Sequence, residues 1–107
     1  MNLKEQILTL LDSIPNKRTM PSGIRYRGLK MPKAFFPQLI KDNFFQLTDC
    51  GTECEVYVNI ESRVILDYYP EDGSMLFYHA FTIEHFQAQI NKLNPNYQQN
   101  LKPVIHA

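Results

Sequence analysis

Residues 44–81 read FFQLTDCGTECEVYVNIESRVILDYYPEDGSMLFYHAF, and this stretch decides the fold. Within it, residues 54–60 alternate apolar and polar side chains with a period of two, which is typical of a half-buried β-strand. Residues 70–73, PEDG, form a strong turn signal because proline presets φ and glycine tolerates a positive φ. Apolar runs joined by such short connections pair as antiparallel neighbours. We therefore predict a four-stranded antiparallel meander over residues 44–81.

The flanking residues predict an α+β fold with a helix at each end of the chain. An amphipathic N-terminal helix ends before Pro15, and Thr82 is a suitable N-cap for a C-terminal helix. We expect both helices to pack on one face of the sheet, with an extra edge strand over 24–29 and a short helix over 32–41. The predicted core comprises Ile7, Leu10, Leu11, Phe45, Val56, Val58, Val64, Leu66, Phe77, Ile83, Phe86 and Ile90.

Composition indicates one small soluble domain over residues 1–95, followed by a polar C-terminal tail over 96–107. The chain has 107 residues and is 44% hydrophobic, which excludes a disordered protein. No apolar run approaches the length of a membrane span. Residues 4–6, KEQ, interrupt any signal-peptide core. We therefore expect a cytoplasmic protein that does not associate with membranes.

Charge is segregated along the chain although the formal net charge is zero. The segment from Ser13 to Lys41 contains only basic charges: Lys17, Arg18, Arg25, Arg27, Lys30, Lys33 and Lys41. From Asp42 to Asp72, Arg63 alone opposes the acidic residues Asp42, Asp49, Glu53, Glu55, Glu61, Asp67, Glu71 and Asp72. Such asymmetry indicates either internal pairing of the two blocks or a charged contact surface.

Three interpretations of the basic block stay open. A strand carrying Arg25 and Arg27 could lie beside strands carrying Glu55 and Asp67, so that the charges pair across the sheet. The block could instead contact phosphates, with Tyr26 stacking on a base. It could also bind a protein of complementary charge. The candidate partner-binding residues are Lys17, Arg18, Arg25, Tyr26, Arg27, Lys30, Lys33, Tyr57 and Tyr69.

Tyr57 and Tyr69 are candidates because tyrosine on an open sheet face supplies contact area with a polar tip. A helix covering that face would instead make them core residues. Both alternatives are consistent with the sequence.

Two cysteines and two histidines have spacings that superficially fit a zinc site. The predicted meander places Cys50 and Cys54 at one end of the strands, and His79 and His85 at the other. A strand of six or seven residues spans about 20 Å, whereas zinc ligands lie about 2.3 Å or less from the metal. We therefore expect no metal and no cofactor, with both cysteines as thiols.

The sequence lacks a nucleophile elbow, a phosphate-binding loop and a metalloprotease motif. This favours a small non-enzymatic regulatory or protein-interaction module, such as an inhibitor, an immunity-type protein or an adaptor. One alternative is a nucleic-acid-binding protein that uses residues 17–33. Another is an enzyme or ligand-binding domain with a pocket between sheet and helices. A homodimer is compatible with each of these.

Overall fold

A computed structural model of the chain describes residues 2–47 and 53–94. Its helices are α1 (Leu3–Asp12), α2 (Gln38–Asn43) and α3 (Ile83–Leu93), with a 3-10 turn at Lys33–Phe35. Its strands are β1 (Arg18–Met20), β2 (Gly23–Arg27), β3 (Phe45–Leu47), β4 (Glu55–Asn59), β5 (Val64–Tyr69) and β6 (Ser74–Ala80). The α+β class is thus confirmed. The predicted tail at 96–107 and Cys50 lie outside the described residues.

The strands form one antiparallel sheet in the order β1-β2-β6-β5-β4-β3. The meander from β3 to β6 runs up and down as predicted, but the sheet has six strands because the β1–β2 hairpin adds to β6. The predicted edge strand over 24–29 is wrong in its position. Ile24 pairs with His79 on one side and with Thr19 on the other, so β2 is an inner strand and β1 is the edge.

Local capping explains where the long helices and the last hairpin begin. The Asn2 side chain accepts a hydrogen bond from the Glu5 amide at 2.8 Å, and the Thr82 hydroxyl accepts one from the His85 amide at 3.1 Å. In the PEDG turn, Gly73 has a φ of 74°, which glycine adopts without steric cost. The Asp72 carboxylate accepts a hydrogen bond from the Ser74 amide at 2.9 Å, which closes the turn.

The two faces of the sheet carry separate cores. On the α1 face, α1 and α2 pack against β2, β5 and β6; this core contains Ile7, Leu11, Tyr26, Phe36, Ile40, Val64, Leu66, Tyr68, Met75 and Phe77. On the α3 face, α3 packs against β3 to β6; this core contains Leu47, Val56, Val58, Ile65, Tyr78, Ala80, Phe86 and Ile90. The prediction that both terminal helices share one face is therefore wrong. Consecutive strand residues are apolar on both sides, as at Leu66 and Ile65, so each face needs a cover.

Most of the predicted core is buried, with three differences. Ile83 is 40% exposed because it lies in the first turn of α3, away from the sheet. Leu10 and Phe45 are only partly buried. Within the described part of the chain, no helix is long and apolar enough to cross a membrane.

Candidate functional site

The α3 face is covered over only part of its width. Among the described residues, the buried side chains that α3 packs against come from β3 to β6, and none comes from β1 or β2. Over those two strands lies a groove, the arginine groove, lined by Asn16, Arg18, Thr19, Met20, Pro21, Arg25, Arg27 and Leu76. Arg18 and Arg25 are direct register partners, and Arg27 lies two residues further on the same face. Three guanidinium groups thus line one open surface.

This clustering is unfavourable for stability by itself, since like charges directly opposite each other on neighbouring strands repel. The ion pairs formed within residues 2–47 and 53–94 join Lys30 to Asp72 and Lys33 to Glu55, and none involves the three arginines. Guanidinium groups present a planar fork of donors that matches carboxylate and phosphate oxygens. The arginine groove can therefore bind anionic groups of a partner.

Asp67 is the carboxylate nearest to the groove in the described sheet. It lies two strands from Arg27, across Leu76, on the same face. One oxygen, Oδ1, is buried and has no hydrogen-bond partner within residues 2–47 and 53–94. Burial raises the pKa of Asp67, and the charge of Arg25 partly opposes this rise. Arg25 and Asp67 therefore attract through space, although β2 pairs with β6 and not with the strands that carry Glu55 and Asp67.

A second groove, the acidic groove, lies at the turn between β5 and β6. It is lined by Glu53, Tyr69, Pro70, Glu71, Asp72 and Ser74. Tyr69 and Ser74 are register partners, and alternation from Asp67 places them on the α3 face. Tyr69 is 38% exposed, and burial of its hydroxyl followed by the charge of Asp67 raises its pKa. The two grooves meet along β6, between Leu76 and Ser74.

Lys33 and Tyr57 lie on the opposite face and are internally paired. Lys33 Nζ lies 2.9 Å from Glu55 Oε1, and the Tyr57 hydroxyl donates to the same oxygen. The hydrogen bonds from Tyr57 and then from Lys33 lower the pKa of Glu55. The interactions of Lys33 with Tyr57 and then with Glu55 raise the pKa of Lys33. Phe36 packs edge-on against the Tyr57 ring with centroids 6.1 Å apart. Of the two alternatives for Tyr57, the covered face is therefore the one observed.

Tyr26 is buried in the α1-face core with 3% of its surface exposed. The prediction that its ring is available to stack on a base is therefore wrong, because β2 directs Tyr26 inward and its arginines outward.

Lys17 Nζ lies 5.9 Å from the centre of the Tyr26 ring, and Lys30 Nζ lies 3.8 Å from an Asp72 oxygen. Of the nine candidate residues, the structure brings together Arg18, Arg25 and Arg27, with Tyr69 nearby.

The register also separates the residues considered for zinc. Cys54 precedes β4 at the end of the sheet where Tyr68 pairs with Met75, whereas His79 pairs with Val64 at the other end. Within the described residues, no group of three or more His, Cys, Asp or Glu side chains could hold a metal ion.

An apolar pocket on the α1 face was not indicated by the sequence. It has a volume of about 200 Å³ and is lined by Leu10, Ser13, Ile14, Pro15, Leu29, Met31, Pro37, Met75 and Phe77. Leu29, at its wall, is 64% exposed. Nothing in the sequence indicated that Leu76 and Asp67 adjoin the arginines, since strand pairing across long separations brings them together.

Comparison of this chain with family models, curated proteins and solved structures finds no match. The case for a function therefore rests on the geometry of the described residues.

Proposed function

We propose that this protein is a small non-enzymatic interaction module that binds an acidic protein partner in the arginine groove. One observation carries the proposal. Arg18, Arg25 and Arg27 share an open face of two neighbouring strands, and none of them forms an ion pair within the described residues. Clustering them there costs stability, and carboxylates of a partner would compensate for that cost.

The groove is suited to specific recognition because β2, which carries two of the arginines, is held between β1 and β6. Met20 and Leu76 supply apolar surface among the guanidinium groups. Arg25 is half-buried, whereas Arg18 is exposed. We expect Arg25 to act mainly on dissociation, as shielded charges do, and Arg18 mainly on association, as rim charges do.

Nucleic acid fits this face less well. A phosphate backbone is charged at every nucleotide, so a strand leaving the groove across β6 would be repelled by Glu71 and Asp72 in the acidic groove, whereas a protein partner can present uncharged or basic residues there. Tyr26, the aromatic residue between Arg25 and Arg27, lies in the core beneath the sheet. It therefore offers no stacking surface to a base in the arginine groove.

The apolar pocket beside Leu29 supports a second candidate function, the binding of a small apolar ligand between α1 and the sheet. Its volume of about 200 Å³ suits a ligand of little more than one aromatic ring. The pocket lies on the α1 face, so it is independent of the arginine groove.

The test compares a glutamate-rich peptide with a single-stranded oligonucleotide of equal charge, using fluorescence anisotropy at several salt concentrations. We expect the peptide to bind more tightly, and Arg25→Glu with Arg27→Glu to weaken its binding at least tenfold. The control is Lys41→Glu with Lys92→Glu, which changes the net charge equally at exposed positions outside the groove.

The proposal would be refuted if the variant with Arg25→Glu and Arg27→Glu bound the peptide with the same affinity as the control with Lys41→Glu and Lys92→Glu. Tighter binding of the oligonucleotide, lost in the arginine variant, would favour the nucleic-acid alternative instead. Circular dichroism verifies that each variant is folded.

A further inference from the structure

We infer that the α3 face also binds a second copy of this chain, in a symmetric dimer where each arginine groove contacts the acidic groove of the other copy. The observation is that two grooves of opposite charge lie side by side on one face. A surface with this property is complementary to itself.

The register fixes how close the two grooves are. Arg27 pairs with Leu76 on β6, and Leu76 pairs with Asp67 on β5. Ser74, which lines the acidic groove, lies two residues from Leu76 on the same strand and the same face. Adjacent strands are about 5 Å apart, so the backbones of Arg27 and Asp67 are separated by about 10 Å. The arginine groove and the acidic groove therefore form one continuous surface that is positive on one side and negative on the other.

Two-fold symmetry converts this surface into a closed interface. A two-fold axis that lies in the interface plane and passes between the grooves places each arginine groove over the partner's acidic groove. The same contacts then occur twice, and the interface closes without further growth. A single-signed groove could not pair with itself in this way, because like charges would meet.

The charges of both grooves are available for such contacts. The three arginines form no ion pair within the described residues. Asp72 does contact Lys30, but at 3.8 Å and with both side chains more than half exposed, so this pair is weak and can exchange. Zero formal net charge means that two copies do not repel each other overall.

Apolar groups at the boundary between the grooves add to the expected contact. Leu76 lies in the arginine groove two residues from Ser74, and Tyr69 is 38% exposed in the acidic groove. Interface centres are enriched in such aromatic side chains, with charges at their rims. The dimer would therefore combine apolar contact with two sets of ion pairs.

The role of this dimer rests on the function proposed above, because self-association and the acidic partner would compete for Arg25 and Arg27. At high concentration the second copy would occupy the groove, and dilution would release it. Partner binding would then depend on the concentration of the protein itself.

Charge exchange between two variants tests the inference. One variant is Arg25→Glu with Arg27→Glu, and the other is Glu71→Lys with Asp72→Lys. We expect the wild type to dimerise at low salt and to dissociate as salt rises, as measured by sedimentation equilibrium. Each variant alone should self-associate at least tenfold more weakly than the wild type. An equimolar mixture of the two should form a heterodimer, because the substituted charges are again complementary.

The control replaces the second variant by Glu5→Lys with Glu61→Lys, which makes the same charge change at exposed positions outside the acidic groove. This control should not restore association with the arginine variant. A wild type that stays monomeric at low salt up to millimolar concentration would overturn the inference, as would a control that restores association equally well.

The outcome separates this inference from the proposed function. If the wild type is monomeric but still binds the acidic peptide through its arginines, only the dimer is refuted. If the charge exchange restores a dimer but the peptide does not bind, only the proposed partner class is refuted.

Discussion

Asp67 carries a charge on the α3 face that no ion pair balances within the described residues. Its Oδ1 is buried without a hydrogen-bond partner among the described residues, and Arg25 is the charge that acts on it. Asp67 in turn adds to the effect of burial in raising the pKa of Cys54 and of Tyr69. Burial raises the pKa of Asp67 above its ordinary value of 3.8 more than Arg25 lowers it. The folded protein therefore binds this proton more tightly than the unfolded chain does.

This imbalance predicts a pH-dependent effect of Asp67→Asn. As pH rises from 3.8 through the raised pKa, the unfolded chain loses the proton first, so the free energy of unfolding falls. Asparagine carries no charge to bury, and we expect it to stabilise the protein at pH 7 by about 1 kcal/mol. The gain should shrink towards pH 3.8. Urea denaturation at several pH values measures it.

Glu61→Gln provides the matched control, because Glu61 is exposed in the turn between β4 and β5. Because its side chain is exposed, this substitution should change the free energy of unfolding at pH 7 by less than Asp67→Asn does. Equal stability of wild type and Asp67→Asn at pH 7 would show that Asp67 is fully compensated in the fold.

The period-two alternation of β2 correctly predicted that Arg25 and Arg27 lie on one face of the strand and Ile24 and Tyr26 on the other. It could not show which side is buried, because a period of two is the same whichever face meets the core. Only the helix that covers the α1 face decides this, and its position depends on tertiary packing. Tyr26 was therefore assigned to the surface from sequence, although it is a core residue.

The β1–β2 hairpin is the element on which the proposed site depends, and Gly23 is the position where it fits against β6. A Cβ atom at Gly23 would lie 2.6 Å from the His79 carbonyl oxygen and 2.7 Å from the Tyr78 ring. The Tyr78 hydroxyl, in contact with the hairpin, lies 2.7 Å from Ser22 Oγ. Close approach of two backbones thus requires glycine here.

We predict that Gly23→Ala destabilises the protein by about 2 kcal/mol, as overpacking of a tight contact does. Amide hydrogen exchange should accelerate most in residues 18–27 and 76–80, because the hairpin separates from β6 first. Ser22→Ala is the control, since it removes one hydrogen bond at a cost of about 1 kcal/mol without a clash. Equal exchange rates in wild type and Gly23→Ala would contradict the predicted contact.

At the scale of elements, the meander could be predicted from the sequence because its strands are joined by short connections and marked by turns such as PEDG. The β1 strand could not be predicted, since three residues are too few to show a period and proline and glycine lie close by. Its position in the sheet depends on the pairing of β2 with β6, which is distant in sequence. The candidate site depends on the same pairing, so the sequence predicted its arginines but not the residues that lie beside them.

The whole molecule has two cores that share one sheet. Val64 and Leu66 face α1, whereas Ile65 between them faces α3. Strands with apolar residues on both sides are typical of sheets covered on both faces. The apolar run in β5 indicated a sheet covered on both faces. The prediction nevertheless placed both terminal helices on one face, because antiparallel sheets often have one face exposed to solvent.

Because both cores use β5 and β6, we predict that they unfold together. Leu11→Ala on the α1 face and Ile90→Ala on the α3 face should each cost about 2–5 kcal/mol, since both side chains are fully buried. In each variant, far-UV circular dichroism and tyrosine fluorescence should report one coincident transition in urea. Two separate transitions would show that the faces are independent. Gln46→Ala, on the exposed part of β3, is the control for a change that should have little effect.

The pairing of β2 with β6 also sets an order of events during synthesis of the chain. Ile24 cannot pair with His79 until the ribosome has added His79, roughly fifty residues later. At about 5–20 residues per second, the hairpin exists without this neighbour for about 3–10 s. During that interval both of its edges can pair with other nascent chains. The shortness of β1 and the positive charge of Arg18, Arg25 and Arg27 oppose such pairing, so the arginines that line the finished groove would first protect the growing chain from aggregation.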